Sequence, residues 1–160
     1  MKISSANLKI ILDSRGKETL EAELRADSCG LKTDLRAIAS VPFGESEGIY
    51  EAFAIKPELA LEKFEQIKQQ ILNKEFETQE DFDNFLISLD GTKNKQNLGA
   101  NLILSLSLAW ARLKAKSEKK ELFNYIADIY RLKTQINVDS ISENLRKNLR
   151  ELALLPRPIF

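Results

Sequence analysis

Hydrophobic positions follow two rhythms along this chain, an alternation of every second residue near the N-terminus and a three-to-four spacing further on. Leu8, Ile10 and Leu12 alternate with Lys9 and Ile11 before Asp13-Ser14-Arg15-Gly16, which has the polar and glycine content of a turn. Leu20, Ala22, Leu24 and Ala26 then point one way, with Thr19, Glu21, Glu23 and Arg25 the other. Asp27-Ser28-Cys29-Gly30 closes a hairpin, after which Leu31, Thr33, Leu35, Ala37 and Ala39 alternate against Lys32, Asp34 and Arg36. The pattern predicts a three-stranded antiparallel meander with one wet and one dry face, the dry face needing cover from elements downstream.

Helical spacing takes over at Pro57, a residue tolerated in the first turn of a helix. Ala60, Leu61, Phe64, Ile67 and Ile71 form its stripe, and Asn73 to Glu77 break the pattern. Thr78 with Asp81 three residues later matches the spacing of a capping box, and Phe82, Phe85, Leu86 and Leu89 give the next helix its apolar side. Asp90-Gly91-Thr92 ends that helix, and Lys93 to Asn97 read as a polar loop. Leu98 to Leu113 is the most apolar run, with Ser105 and Ser107 the only polar residues between Leu102 and Trp110. Small hydroxyls of this kind can bond back to the helix's own carbonyls, and a helix so apolar has almost no wet face. Asn101 and Arg112 bracket too short a run for a bilayer, which needs roughly 20 apolar residues, so a central core helix is predicted. A buried strand would also be apolar, but the length and the Ala and Leu content favour helix.

The charged run Lys114 to Lys120 marks solvent and a helix end; Glu118 and Glu121 interrupt it, which weighs against a phosphate patch. Leu122, Phe123, Ile126, Ile129 and Tyr130 make a short helix. Ser140 with Glu143 sets another capping box, followed by a stripe of Ile141, Leu145, Leu149 and Leu152 opposite Arg146, Lys147, Asn148 and Arg150. That last helix can pack on its own domain, dock on a partner chain, or touch a membrane or nucleic acid, in falling order of expectation. Pro156-Arg157-Pro158 stiffens the exit.

Composition narrows the picture. A chain of 160 residues, 43% of them hydrophobic, suffices for one real core. Twenty-four basic residues balance 24 acidic ones, which argues against a broad basic face for nucleic acid. The single cysteine, Cys29, has no intrachain disulfide partner, and the polar N-terminal MKISSANLKII does not resemble an export signal, so a reducing, cytoplasmic setting and no membrane are expected. With no histidine and one cysteine, the chain lacks the usual proton shuttle and the ligands of a structural zinc site.

Candidate chemistry gathers in Phe43-Gly44-Glu45-Ser46-Glu47-Gly48, where two glycines flank a hydroxyl. It is not a nucleotide phosphate loop, since no Lys-Ser or Lys-Thr follows the second glycine and Glu45 and Glu47 would repel a polyphosphate. On the residues alone it is either an ordinary connection or a ligand lid.

Three segments taken in order resemble the N-terminal domain of enolase, which dehydrates 2-phosphoglycerate to phosphoenolpyruvate. They are Ile11 to Gly16, then Ser40 to Ala52, then Leu89 to Lys95 running into Leu98-Gly99-Ala100-Asn101, with Leu155-Pro156 and Pro158 where that family's linker leads to its barrel. The resemblance implies an α+β fold, a three-stranded meander followed by a helical bundle, with a cap domain over 1–130 and a divergent C-terminal helix and linker over 131–160 packed on it. It further implies that a barrel supplies the lysine base, the glutamate acid and the carboxylates for magnesium, while the cap contributes the loop Gly44, Glu45, Ser46, Glu47 and Gly48. Ser46 is then the one candidate metal ligand, catalytic residues are absent from the chain, and magnesium enters only in assembly with a barrel. Phe43, Glu45 and Glu47 depart from the family's serine, alanine and threonine, and two carboxylates closing over an anionic substrate are unfavourable without a compensating cation.

The expected function is therefore the cap of an enolase-like protein, incomplete for the glycolytic lyase reaction unless a separate barrel chain or other subunit joins it as a protein partner. The alternative is a non-catalytic, pseudoenzyme-like module that binds or regulates another protein. A self-contained small enzyme built on Glu45, Ser46 and Glu47 is disfavoured, because adjacent loop residues lack a pocket and an acid-base partner.

Overall fold

Residues 1–27, 34–42, 48 and 51–134 are described by a computed structural model of the chain. Three antiparallel strands, β1 (Ile3–Leu12), β2 (Glu18–Asp27) and β3 (Asp34–Val41), lie in the order β1-β2-β3, followed by helices α1 (Pro57–Leu72), α2 (Gln79–Asp90), α3 (Ala100–Ser117) and α4 (Leu122–Thr134). The chain divides into two compact units, residues 1–122 and 123–160, with α4 beginning at the boundary. The α+β meander with helices following it is as the alternation and spacing predict.

The β1–β2 hairpin turns where Asp13-Ser14-Arg15-Gly16 was read as a turn. The Asp13 carboxylate accepts the N–H groups of Lys17 and Arg15, each at 2.8 Å, and these bonds hold its pKa below the usual carboxylate value. β2 keeps its predicted parity, with Leu20, Ala22, Leu24 and Ala26 fully buried. β1 differs from its expected form. It starts at Ile3, a bulge lies between Ile3 and Ser5, and the inward positions are Ile3, Ala6 and Leu8, leaving Leu12 66% exposed beside the turn.

The wet face is also drier than its alternation implies. Glu23 is buried there, taking Arg25 Nε at 2.9 Å and an Arg36 guanidinium nitrogen at 2.7 Å. Arg25 and Arg36 stand directly opposite on adjacent strands, where like charges repel, and the shared carboxylate offsets that repulsion. The two guanidinium hydrogen bonds, Arg36 first, pull the Glu23 pKa down to about 2.

On the dry face α1 packs against β1 and β2, and α3 against β3 and β2, with α2 set on α3. The α1 stripe is as predicted, with Ala60, Phe64, Ile67 and Ile71 buried. Thr78 and Asp81 complete the capping box of α2, Asp81 N–H to Thr78 Oγ1 at 3.1 Å and Thr78 N–H to Asp81 Oδ2 at 3.0 Å, so the shorter acid still reaches. Phe76, in the stretch that breaks the helical pattern, is a core residue. Its ring meets Phe82 edge-on at 4.9 Å and Trp110 at 5.8 Å, and the Met1 ammonium donates to its carbonyl. Burying rings and leucines of this size stabilises by about 2–3 kcal/mol each.

α3 is the central helix, with Leu102, Leu106, Ala109, Trp110 and Leu113 fully buried. Ser105 bonds back to the Leu102 carbonyl at 2.8 Å as expected, whereas Ser107 Oγ accepts from Gln79 Nε2 at 3.1 Å. The expected absence of a wet face is corrected: Leu104 and Leu108 are exposed, because sheet and α2 together do not surround the helix. No described helix is long and apolar enough to cross a membrane.

Candidate functional site

Of the loop residues singled out above, Gly44, Glu45, Ser46 and Glu47 lie outside the described residues, as do Phe43 and the stretch from Ser140 to Leu152. Gly48 is described and exposed. Its N–H donates to Glu51 Oε2 at 3.1 Å and its carbonyl accepts the Glu51 N–H at 3.0 Å.

The framework on either side of the loop is rigidly held. Before it, the buried Thr19 hydroxyl on β2 donates to the Val41 carbonyl at the end of β3. After it, the irregular stretch from Ala52 to Lys56 is stitched to the α2–α3 connection. Phe53 N–H donates to the Asn94 carbonyl at 2.8 Å, and the Phe53 carbonyl accepts the Ala100 N–H at 2.7 Å. The buried Asn101 amide then grips Ile55 on both sides: Oδ1 accepts the Ile55 N–H at 3.1 Å and Nδ2 donates to the Ile55 carbonyl at 2.8 Å. One side chain thus satisfies both backbone groups of a buried residue that belongs to no helix or strand.

Two neighbours make that grip possible. Gly99 sits at φ +85°, and a Cβ there would lie 2.5 Å from Ile55 Cγ1 and 2.8 Å from Asn101 Oδ1. Asp90, at the end of α2, is almost wholly buried and organises residues 92–98 around its carboxylate. It accepts Leu98 N–H at 2.7 Å, Thr92 N–H at 2.9 Å, Asn97 N–H at 3.1 Å and the Thr92 hydroxyl. Burial by itself raises the Asp90 pKa, but the donors from Leu98, Thr92 and Asn97 outweigh it and the net shift is downward.

Sequence reading took residues 93–97 for a plain polar loop and did not find the Asp90 and Asn101 networks. The available signal was a pair of short polar residues, Asp90 and Asn101, bracketing the connection between two apolar helices, with a glycine, Gly99, two residues before the second. Chemically, this framework is a set of hydrogen bonds that hold backbone groups on either side of residues 43–50. Among the described residues no group of three His, Cys, Asp or Glu side chains converges in a way that could hold a metal ion. The Asp90 carboxylate is committed to backbone donors and Glu23 to guanidinium groups, so neither offers itself to a substrate.

Comparison with known proteins bears on what the loop serves. The family described as "Enolase, N-terminal domain" matches residues 3–126. A relative, Enolase 1 of Chlorobaculum tepidum, is 38% identical over 138 residues, covering 79% of this chain and 31% of that protein. The chain therefore spans less than a third of the length of the curated relative it matches.

Proposed function

The chain belongs to the enolase N-terminal domain family, and from that premise we propose that it is the capping element of an enolase-type lyase whose reacting groups are carried by other polypeptide. The observation that supports this most is the contrast between a well-built framework flanking the loop and the lack, among the described residues, of a converging set of reacting groups. Thr19 bonds Val41 ahead of the loop and Asn101 bonds Ile55 after it, while the described Asp90 and Glu23 carboxylates are spent on structural bonds. A dehydration that removes a carbon-bound proton and expels hydroxide needs a base, an acid and charge stabilisation, and a chain without histidine and without a converging carboxylate set does not assemble them from its described residues.

In this reading Gly44 to Gly48 closes over a substrate held elsewhere, and Ser46 supplies one hydroxyl to a magnesium ion held chiefly by the partner's carboxylates. Magnesium, when bound, stabilises negative charge developing on the substrate. The role left to this chain is exclusion of water and placement of one hydroxyl. A phosphorylated, carboxylated three-carbon acid is the substrate class, and a cytoplasmic, glycolytic setting accords with that chemistry.

The test is dehydration of 2-phosphoglycerate, followed by the ultraviolet absorbance of the enol product. The purified 160-residue chain with magnesium is expected to show no turnover, and the same chain co-expressed with the C. tepidum enolase segment beyond its matched region to show it. Ser46→Ala is expected to lower kcat in that mixture about 10–1,000-fold while leaving association unchanged. Magnesium-dependent turnover by the chain alone, or full activity of the Ser46→Ala mixture, refutes the assignment.

A further inference from the structure

The strand order β1-β2-β3 leaves one side of β3 without a strand partner among the described residues. The segment from Leu35 to Val41, LRAIASV, holds a single charged residue, no proline and no glycine. A short run of this kind along a sheet edge offers its N–H and C=O groups to any strand that meets it. Two side chains of α3 reach that edge. Arg112 Nη1 donates to the Ile38 carbonyl at 2.5 Å and Lys116 Nζ to the Arg36 carbonyl at 2.6 Å, joining positions 74 and 80 residues apart. Successive residues of a strand turn their backbone groups to opposite sides, so 36, 38 and 40 face away from β2 while 35, 37, 39 and 41 face it. The repeats of the two elements match. Two strand residues advance about 6.6 Å and four helical residues about 6.0 Å, so consecutive turns of α3 meet consecutive outward carbonyls.

The helix by itself does not account for this pair. Like charges four residues apart repel, and although Lys116 in the last turn suits the negative end of the helix dipole, Arg112 lies a turn earlier, where that benefit has faded. Nor do the two residues build an anion site. The open cleft of about 620 Å³ beside them is also lined by Arg36, Lys120 and Glu121. Arg36 binds Glu23, Lys120 binds Glu118 at 3.0 Å, Glu121 adds a carboxylate, and the remaining two cations are turned onto backbone carbonyls. The bonds to β3 are what Arg112 and Lys116 have in common.

We propose that Arg112 and Lys116 shut the β3 edge against strand pairing with a second copy of this chain. The strand they exclude is β3 itself, because its edge is self-complementary. Two-fold antiparallel pairing centred on Ala37 sets Arg36 opposite Ile38 and Asp34 opposite Ser40, so no like charges stand face to face and the outward residues of both copies are used. The Arg36 and Ile38 carbonyls that α3 occupies are at the centre of that pairing. The device belongs to β3 and α3 alone and is independent of what the loop at 43–50 serves.

The experiment compares the full chain with Arg112→Ser/Lys116→Ser by sedimentation velocity over a concentration series and by amide hydrogen exchange. Serine keeps the surface polar but is too short to reach β3. The double variant is expected to self-associate at least about tenfold more strongly than wild type, with protection of the Ile38 and Ser40 amides that grows with concentration. Adding Ile38→Lys, which sets a lysine opposite Arg36 of the second copy, is expected to return association to within about twofold of wild type. Arg112→Lys/Lys116→Arg keeps both donors and is expected to sediment as wild type does. Lys116→Ser alone, at the exposed end of α3, is expected to strengthen association about threefold, and it decides the matter if the double variant does not fold. A folded variant that loses stability yet sediments as wild type makes the two bonds mere tethers of helix to sheet and overturns the proposal. Self-association that persists with Ile38→Lys, or that leaves the amides of residues 36–40 unprotected, runs through another surface and overturns it too.

Discussion

Replacing Gly99 by alanine isolates the feature on which the loop framework depends, the close approach of Ile55 to the start of α3. Two costs add. Gly99 holds φ +85° and ψ 137°, a region that residues with a Cβ rarely enter, at about 1–3 kcal/mol. The new methyl would lie 2.5 Å from Ile55 Cγ1 and 2.8 Å from Asn101 Oδ1, so a buried isoleucine and the Asn101 amide must both move. Overpacking of this kind costs about 1–3 kcal/mol, and weakening the Ile55 N–H bond to Oδ1 about 1 kcal/mol more. The total expected loss is about 3–7 kcal/mol, a large share of the roughly 5–15 kcal/mol stability of an ordinary domain. Gly16→Ala is the matched control, because Gly16 has φ +74° but nothing within 4 Å of a Cβ, so only the backbone cost of about 1–2 kcal/mol applies. Equilibrium urea unfolding of both variants, with m-values checked for constancy, reads the difference directly. If Gly99→Ala and Gly16→Ala lose the same stability within about 0.5 kcal/mol, the close-packing argument is wrong.

Two further outcomes follow from the polar networks. Asn101→Asp replaces the donor facing the Ile55 carbonyl by an oxygen, and is expected to cost about 2–4 kcal/mol at neutral pH. Protonation restores a donor, so the folded-state pKa of the new carboxyl is raised above its unfolded value of about 3.9, and the lost stability returns as pH falls through the raised value. A pH-independent deficit in urea unfolding would contradict the bidentate grip. Glu23 shifts the other way: with a folded pKa of about 2 against 4.5, its contribution is present above pH 4.5 and is lost as pH falls toward 2. Because both arginines are more than a third exposed and solvent screens them, Glu23→Gln is expected to cost only about 1–2 kcal/mol at pH 7. The gap between wild type and variant should close between pH 4.5 and 2, and a gap that stays constant across that window would contradict the ion-pair reading.

The amino-acid order alone determined those features that depend on near neighbours in the chain. The parity of β2, the Asp13–Gly16 turn, the Thr78 capping box and the stripe of α1 are each set by contacts within a few residues, so alternation and spacing reveal them directly. The enolase-like segments at Ile11, Ser40 and Leu89 were legible for the same reason, as runs of contiguous residues. Tertiary structure decided whatever joins distant positions. Phe76 became core only because Met1, α2 and α3 converge on it, and Glu23 became buried only because β3 brings Arg36 beside it. Asn101 acquired its role by meeting the backbone groups of Ile55, 46 residues away, which no local periodicity encodes. The exposed leucines of α3 show the reverse case. Their composition asks for burial on every side, but how many sides are covered is a property of the assembled layers, and these layers cover α3 incompletely.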